Sequence, residues 1–250
     1  MAPANRGSFG SASNYQRMVG AYGPARPGGS TAVLDGPTPS PTREFTADGA
    51  FTKAGLLGAL TLVVGALAYV ADLPLGLVWP LMLVALGVGL WASFRPTMAK
   101  VLAPVFAVSE GAVLGLLSRY YANQGEHVVT LAVVGTVAVV TGVWFTYRTG
   151  LVRVGHRFLR TTMVVTLGLL AVMVVSILTG WGASGLGGVV IFGILYLFVA
   201  VMNLFVDYDY AYKAQASHMS ADAEWYSAFS LLLSSAMVYL ALLRIFGGRR

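Results

Sequence analysis

Seven apolar stretches of about twenty residues each follow one another between residues 54 and 246. At about 1.5 Å per helical residue, such a stretch crosses the roughly 30 Å hydrocarbon core of a bilayer. They fall at about 54–71, 75–94, 99–121, 127–147, 160–180, 187–208 and 225–246. None alternates polar and apolar residues as barrel strands do, and each is apolar on nearly all faces. Backbone groups in hydrocarbon must bond to one another, so the expected form is helical. Only 10% of the residues are charged, against about 25% in soluble domains, too few to cover a soluble surface of this size. The expected fold class is an all-α membrane protein with seven transmembrane helices, spanning residues 49–250.

Residues 1–48 read differently. They hold Pro24, Pro27, Pro37, Pro39 and Pro41 among glycines and serines, with few large apolar residues. Such a segment buries too little surface to offset its ordering entropy, so a disordered tail is expected. The first apolar run starts near Ala54, too late for a signal peptide.

The net charge of +6 raises the question of nucleic acid. The basic residues, however, sit in the tail and between apolar runs, where they set membrane orientation. Arg95 and Lys100 lie between runs two and three, and Arg148, Arg153, Arg157 and Arg160 between runs four and five. The one–two and five–six connections carry no Lys or Arg. This places the N-terminus in the cytoplasm of a multi-pass cell-membrane protein, with no nucleic-acid partner. Arg249 and Arg250 then fall outside, an exception tolerated because early spans set the orientation. Gly182, Gly185, Gly187 and Gly188 read as the five–six turn.

Ionisable groups within spans are costly unless paired or hydrated, so they are the functional candidates. Glu110 lies near the middle of run three, and it must be protonated, paired or hydrated there. The same run carries Gly111 and Gly115, whose spacing suits close helix packing. Asp207 and Asp209 end run six; two residues apart, they point about 200° apart around the helix. One can enter the bundle while the other reaches headgroups or water. Ser230, Ser234 and Ser235 are expected to bond to their own helix backbone. No histidine, carboxylate or cysteine set has metal-ligand spacing, and no nucleophile–base pair is evident. Neither a cofactor nor an enzymatic activity is expected.

Three stretches carry a family likeness: Ser109-Glu110-Gly111 with Gly115, Tyr208-Asp209, and the closing Leu242-Leu243-Arg244-Ile245-Phe246-Gly247. In this order and frame the chain resembles the Bax inhibitor-1-like (YccA-like) family over roughly residues 50–247. The resemblance implies a central seventh helix wrapped by the other six. It also implies a pH-sensitive leak channel or transporter for cations, Ca2+ in particular. In the family an Asp at the end of span six pairs with an Asp in span seven, and an Arg near the inner end of span two engages them. Asp209 matches the first and Arg95 the Arg, whereas Ser234 stands at or beside the second Asp. A serine cannot share a proton as a carboxylate does, so Glu110 or Asp207 is the candidate substitute. The alternative expectation is a non-conducting regulator that binds other membrane proteins, such as a membrane protease. The expected partners are thus the lipid bilayer, Ca2+ and other membrane proteins.

Overall fold

The computed structural model describes residues 43–71, 73–123, 125, 127–179 and 186–248. Seven α-helices account for most of them: α1 Ala47–Val70, α2 Val78–Phe94, α3 Ala99–Ala122, α4 Val128–Arg148, α5 His156–Thr179, α6 Leu186–Ala216 and α7 Ala223–Gly247. Short 3-10 turns at Leu75–Leu77 and Pro96–Met98 lead into α2 and α3. No strand occurs among the described residues, beyond one isolated antiparallel bridge between Glu44 and Ser220. Among the described residues, six helical segments are long and apolar enough to cross a membrane: those containing α1, α2, α3, α4, α6 and α7.

α1 and α6 exceed their expected bounds by the most. α1 begins seven residues early because Thr46 caps it, its hydroxyl accepting the Gly49 N–H at 3.1 Å. Asp48 in the first turn adds a favourable charge–dipole contact. α6 runs 31 residues, about 46 Å at 1.5 Å each, so its end extends beyond a roughly 30 Å apolar layer. Gly187 and Gly188, expected in a turn, lie in its first turn instead. Gly182, Gly185, Arg249 and Arg250 lie outside the described residues, as does most of the tail.

The tail boundary at 48 is corrected in part, because residues 43–48 are placed against the bundle. Phe45 is buried, and its N–H donates to the Met219 carbonyl at 2.7 Å. The Ala221 N–H returns to the Arg43 carbonyl at 2.8 Å. An apolar side chain with its flanking backbone paired holds this segment, a contact between distant parts of the sequence that composition does not reveal.

Successive helices run antiparallel. The starts of α1 and α7 meet through Lys53 and Glu224, and the ends of α4 and α6 meet through Tyr147 and Asp209. These contacts define one end of the bundle, where Arg95, Lys100, Arg148, Arg153 and Arg157 also fall; it is called the basic end below. At the opposite end Arg119 donates to the Tyr69 carbonyl, joining α3 to α1. α7 packs against α1, α3, α4 and α6, while α2 rests mainly on α3 and α5 on α6. α3 and α7 are the most buried, whereas α1, α2 and α4 turn most of their surface outward.

In lipid, helices gain little from excluding water, so close packing must hold them together. α1 and α3 cross where both are small. A Cβ on Gly111 would sit 2.6 Å from the Thr61 carbonyl oxygen, and one on Gly115 would reach the Gly65 backbone and the Ala68 side chain. The Thr61 hydroxyl adds a bond to the Ala107 carbonyl at 3.2 Å. This assigns Gly111 and Gly115 to helix packing. Gly115→Val should therefore lower stability in detergent by about 1–3 kcal/mol, the usual cost of overpacking. Gly58→Ala, whose added carbon meets nothing within 4 Å, should leave the melting temperature unchanged.

Candidate functional site

The carboxylate that meets α7 is Asp207. Its Oδ2 accepts a hydrogen bond from the Ser234 hydroxyl at 2.5 Å, and Ser230 lies within reach of the same carboxyl. Ser227, Ser230 and Ser234 are three and four residues apart, so they share one face of α7. Ser227 is fully buried, and its hydroxyl has no partner among the described residues. Tyr226 and Tyr208 are close enough to feel the charge of Asp207. No cationic side chain among the described residues pairs with Asp207.

Ser230 and Ser235 bond to the carbonyls of Ser227 and Leu231 on their own helix, as expected. Ser234 departs from that expectation because a carboxyl group of α6 faces it across the α6–α7 contact.

Asp209 faces elsewhere, as its phase on α6 requires. Lys213, one turn on, pairs with its Oδ2 at 2.6 Å, and the Tyr147 hydroxyl of α4 donates to Oδ1 at 3.0 Å. Tyr147 also stacks on Tyr212 at 5.4 Å. The expected engagement of Asp209 by Arg95 is not found. Arg95 is exposed at the end of α2, and no described carboxylate pairs with it. Lys213 takes that place because an Asp four residues before a Lys needs no tertiary contact to meet it. The spacing was readable in the sequence.

Glu110 is half-buried on α3, and no described residue donates a hydrogen bond to it. Tyr196 of α6 lies within its electrostatic reach, and Arg244 of α7 lies within that of Tyr196. Glu110 and Asp207 therefore belong to separate clusters. Among the described residues, no group of three His, Asp or Glu side chains is placed to hold a metal ion.

Sequence reasoning missed the most buried ionisable side chain among the described residues. Glu224, in the first turn of α7, is 1% exposed. Its Oε1 accepts the Thr46 N–H at 2.9 Å and the Thr46 hydroxyl at 3.0 Å, and its Oε2 pairs with Lys53. Lys53 also lies over the Trp225 ring, 5.2 Å from its centre. Gly49 leaves the necessary room: a Cβ there would come within 2.6 Å of both Glu224 oxygens. The available signal was an acidic residue opening a span, but it reads equally as an ordinary charge at a helix start.

The geometry thus gathers two acidic residues of α6, a serine face of α7 and a locked α1–α7 junction in the basic half of an apolar bundle. No curated protein matches the chain. The family model described as Bax inhibitor 1 like matches residues 5–248. With nearly the whole chain covered, this protein belongs to the Bax inhibitor 1-like family.

Proposed function

We propose that the protein is a multi-pass cell-membrane protein of seven spans, α5 included, with α7 at its centre, and that it leaks cations, Ca2+ foremost, under the control of pH. The observation that carries this reading is Asp207, a carboxylate on a membrane helix facing serine hydroxyls with no counter-charge among the described residues. Such a group either keeps a proton or attracts a cation. Protonated, it seals the α6–α7 seam through Ser234. Ionised, it favours water and cations in the seam, so flux rises with pH. Glu110 is a second acidic station farther along α3, and Asp209 with Lys213 forms the charged rim at the basic end.

Ca2+ uptake into liposomes of purified protein, followed between about pH 5 and 8, tests this, since the window brackets raised carboxylate pKa values. Wild type should conduct more at the high end. Asp207→Asn should remove the pH dependence, and Glu110→Gln should weaken conduction at all pH values. Identical traces from all three proteins would end the channel reading.

One observation favours the alternative, a non-conducting regulator that binds other membrane proteins. The described cavities present almost wholly apolar surface and include none of Glu110, Asp207 or Asp209. In the channel reading this is the closed seam. In the regulator reading it is permanent, and no pH opens it.

The basic end faces the cytoplasm in either case, following the excess of Arg and Lys there. The chain lacks cysteine, so single cysteines report orientation cleanly. Asn123→Cys, at the opposite end, should react with an impermeant thiol reagent in intact cells, and Gly155→Cys should react only after permeabilisation. The reverse pattern would invert the orientation.

A further inference from the structure

The seam between α6 and α7 is covered at the basic end by a short piece of chain just ahead of α1. Residues 43–46 run across the connection between the two helices, residues 217–222. Hydrogen bonds tie this piece to the connection and to both helices. The Phe45 N–H donates to the Met219 carbonyl and the Ala221 N–H to the Arg43 carbonyl, with Glu44 and Ser220 bridged between them. Thr46 donates to the Glu224 carboxylate of α7. The next N–H, that of Ala47, donates to Gln215 Oε1 of α6 at 2.7 Å.

Phe45 fills the space beneath. It shares a buried cluster with Ala211 and Ala214 of α6, Met219 of the connection and Ala223 of α7. The alanines leave room between the helix ends, and one large ring takes it up. Phe45 and Met219 are almost wholly buried, so together they plug this end of the seam. Phe45 is also the one large apolar anchor of residues 43–46. Lifting them therefore costs far less than unfolding the bundle.

Behind the plug is an unpaired polar group. Ser227 lies one turn along α7 from Ala223, fully buried, and its hydroxyl has no partner among the described residues. Such a group is costly to keep dry, and a water molecule relieves the cost. Ser227 begins the face that continues through Ser230 and Ser234 to Asp207. Asp207 itself is eight residues before Gln215, about 12 Å along α6. We infer that residues 43–46 form a movable strap over the seam. Docked, the strap keeps the seam dry; lifted, it admits water to Ser227 and along the serine face to Asp207. Its control of ion flux rests on the channel reading, whereas its control of water entry does not.

The test uses the full-length, cysteine-free chain with one reporter, Ser227→Cys. A charged thiol reagent is applied at about pH 8, near the ordinary pKa of a thiol. With the strap intact the reaction should be slow. Phe45→Ala should speed it about tenfold or more, since losing a buried phenylalanine weakens the docked state at least that much. Met219→Ala, from the other side of the plug, should act in the same direction. A second reporter, Ser118→Cys, is buried on α3 towards the opposite end, and its rate should not change. An unchanged rate at residue 227, or equal acceleration at 227 and 118, would overturn the strap. The converse variant joins Glu44→Cys to Ser220→Cys. The two residues face each other across the antiparallel bridge, between its flanking hydrogen bonds, where Cα atoms about 4.5 Å apart suit a disulfide. Glu44 meets only the largely exposed His218, so its loss removes little. In liposomes at about pH 8 the oxidised clamp should cut Ca2+ uptake about tenfold, and a reductant should restore it. Undiminished uptake with the clamp closed would overturn gating by the strap. Should wild type conduct nothing, the channel reading falls, and the thiol rates at residues 227 and 118 decide the strap by themselves.

Discussion

Replacing Glu224 with alanine lowers the stability of the detergent-solubilised protein by about 3 kcal/mol, measured by chemical unfolding. Breaking a buried ion pair by removing one partner costs about 3–5 kcal/mol, because the other charge is left uncompensated. The low end applies because the Lys53 side chain is 21% exposed and recovers some hydration. The Thr46 N–H and hydroxyl also lose their acceptor. Glu224→Gln keeps an acceptor for Thr46 and should lose less. A companion truncation locates the same junction. Deleting residues 2–42 should leave stability unchanged, given their composition. Deleting 2–46 removes Phe45 and the Thr46 cap, and should cost about 3 kcal/mol, the scale of losing a buried phenylalanine. Equal melting of the two truncations would show that the docked segment contributes nothing.

The second large effect is expected from Ser234→Asp. This places a carboxylate against the one that Ser234 now contacts at 2.5 Å. Two carboxylates in contact hold one proton between them, since ionising both is expensive. The folded pair then binds a proton that the unfolded chain has released, so stability falls as pH rises. The loss is about 1.4 kcal/mol per pH unit until the pair gives up the shared proton. The variant should thus melt well below wild type at about pH 8 and approach it at about pH 5. In the flux assay its response to pH should be steeper than that of wild type. Parallel melting curves across this range would mean that residues 207 and 234 do not touch in the membrane.

The helices were legible in the sequence because a spanning segment advertises itself by length and hydropathy alone. The divergence of Asp207 and Asp209 was legible too, since helical phase depends only on spacing. Which of them faces α7 was not, because the phase of one helix says nothing about its rotation against another. The likeness to family members pointed to Asp209, yet the rotation of α6 presents Asp207 to Ser234. Lys213 was overlooked although its spacing from Asp209 sufficed. The Glu224–Lys53 pair joins residues 171 positions apart, and nothing local marks either as the other's partner. Tyr147 likewise becomes a ligand of Asp209 only once α4 and α6 lie side by side.

The crossing of α1 and α3 has a mechanical consequence. Where Gly111 and Gly115 meet Thr61 and Gly65, main chain lies on main chain, with only small side chains such as Thr61, Val64 and Ala68 beside the contact. Sliding one helix past the other would drive backbone atoms into each other, so these two helices form a single strut. The α6–α7 boundary is built instead from side chains such as Ser234 and Asp207, which can exchange partners without moving the backbone. Any deformation of the bundle will therefore be taken up beside the strut, along the seam that carries the acidic residues.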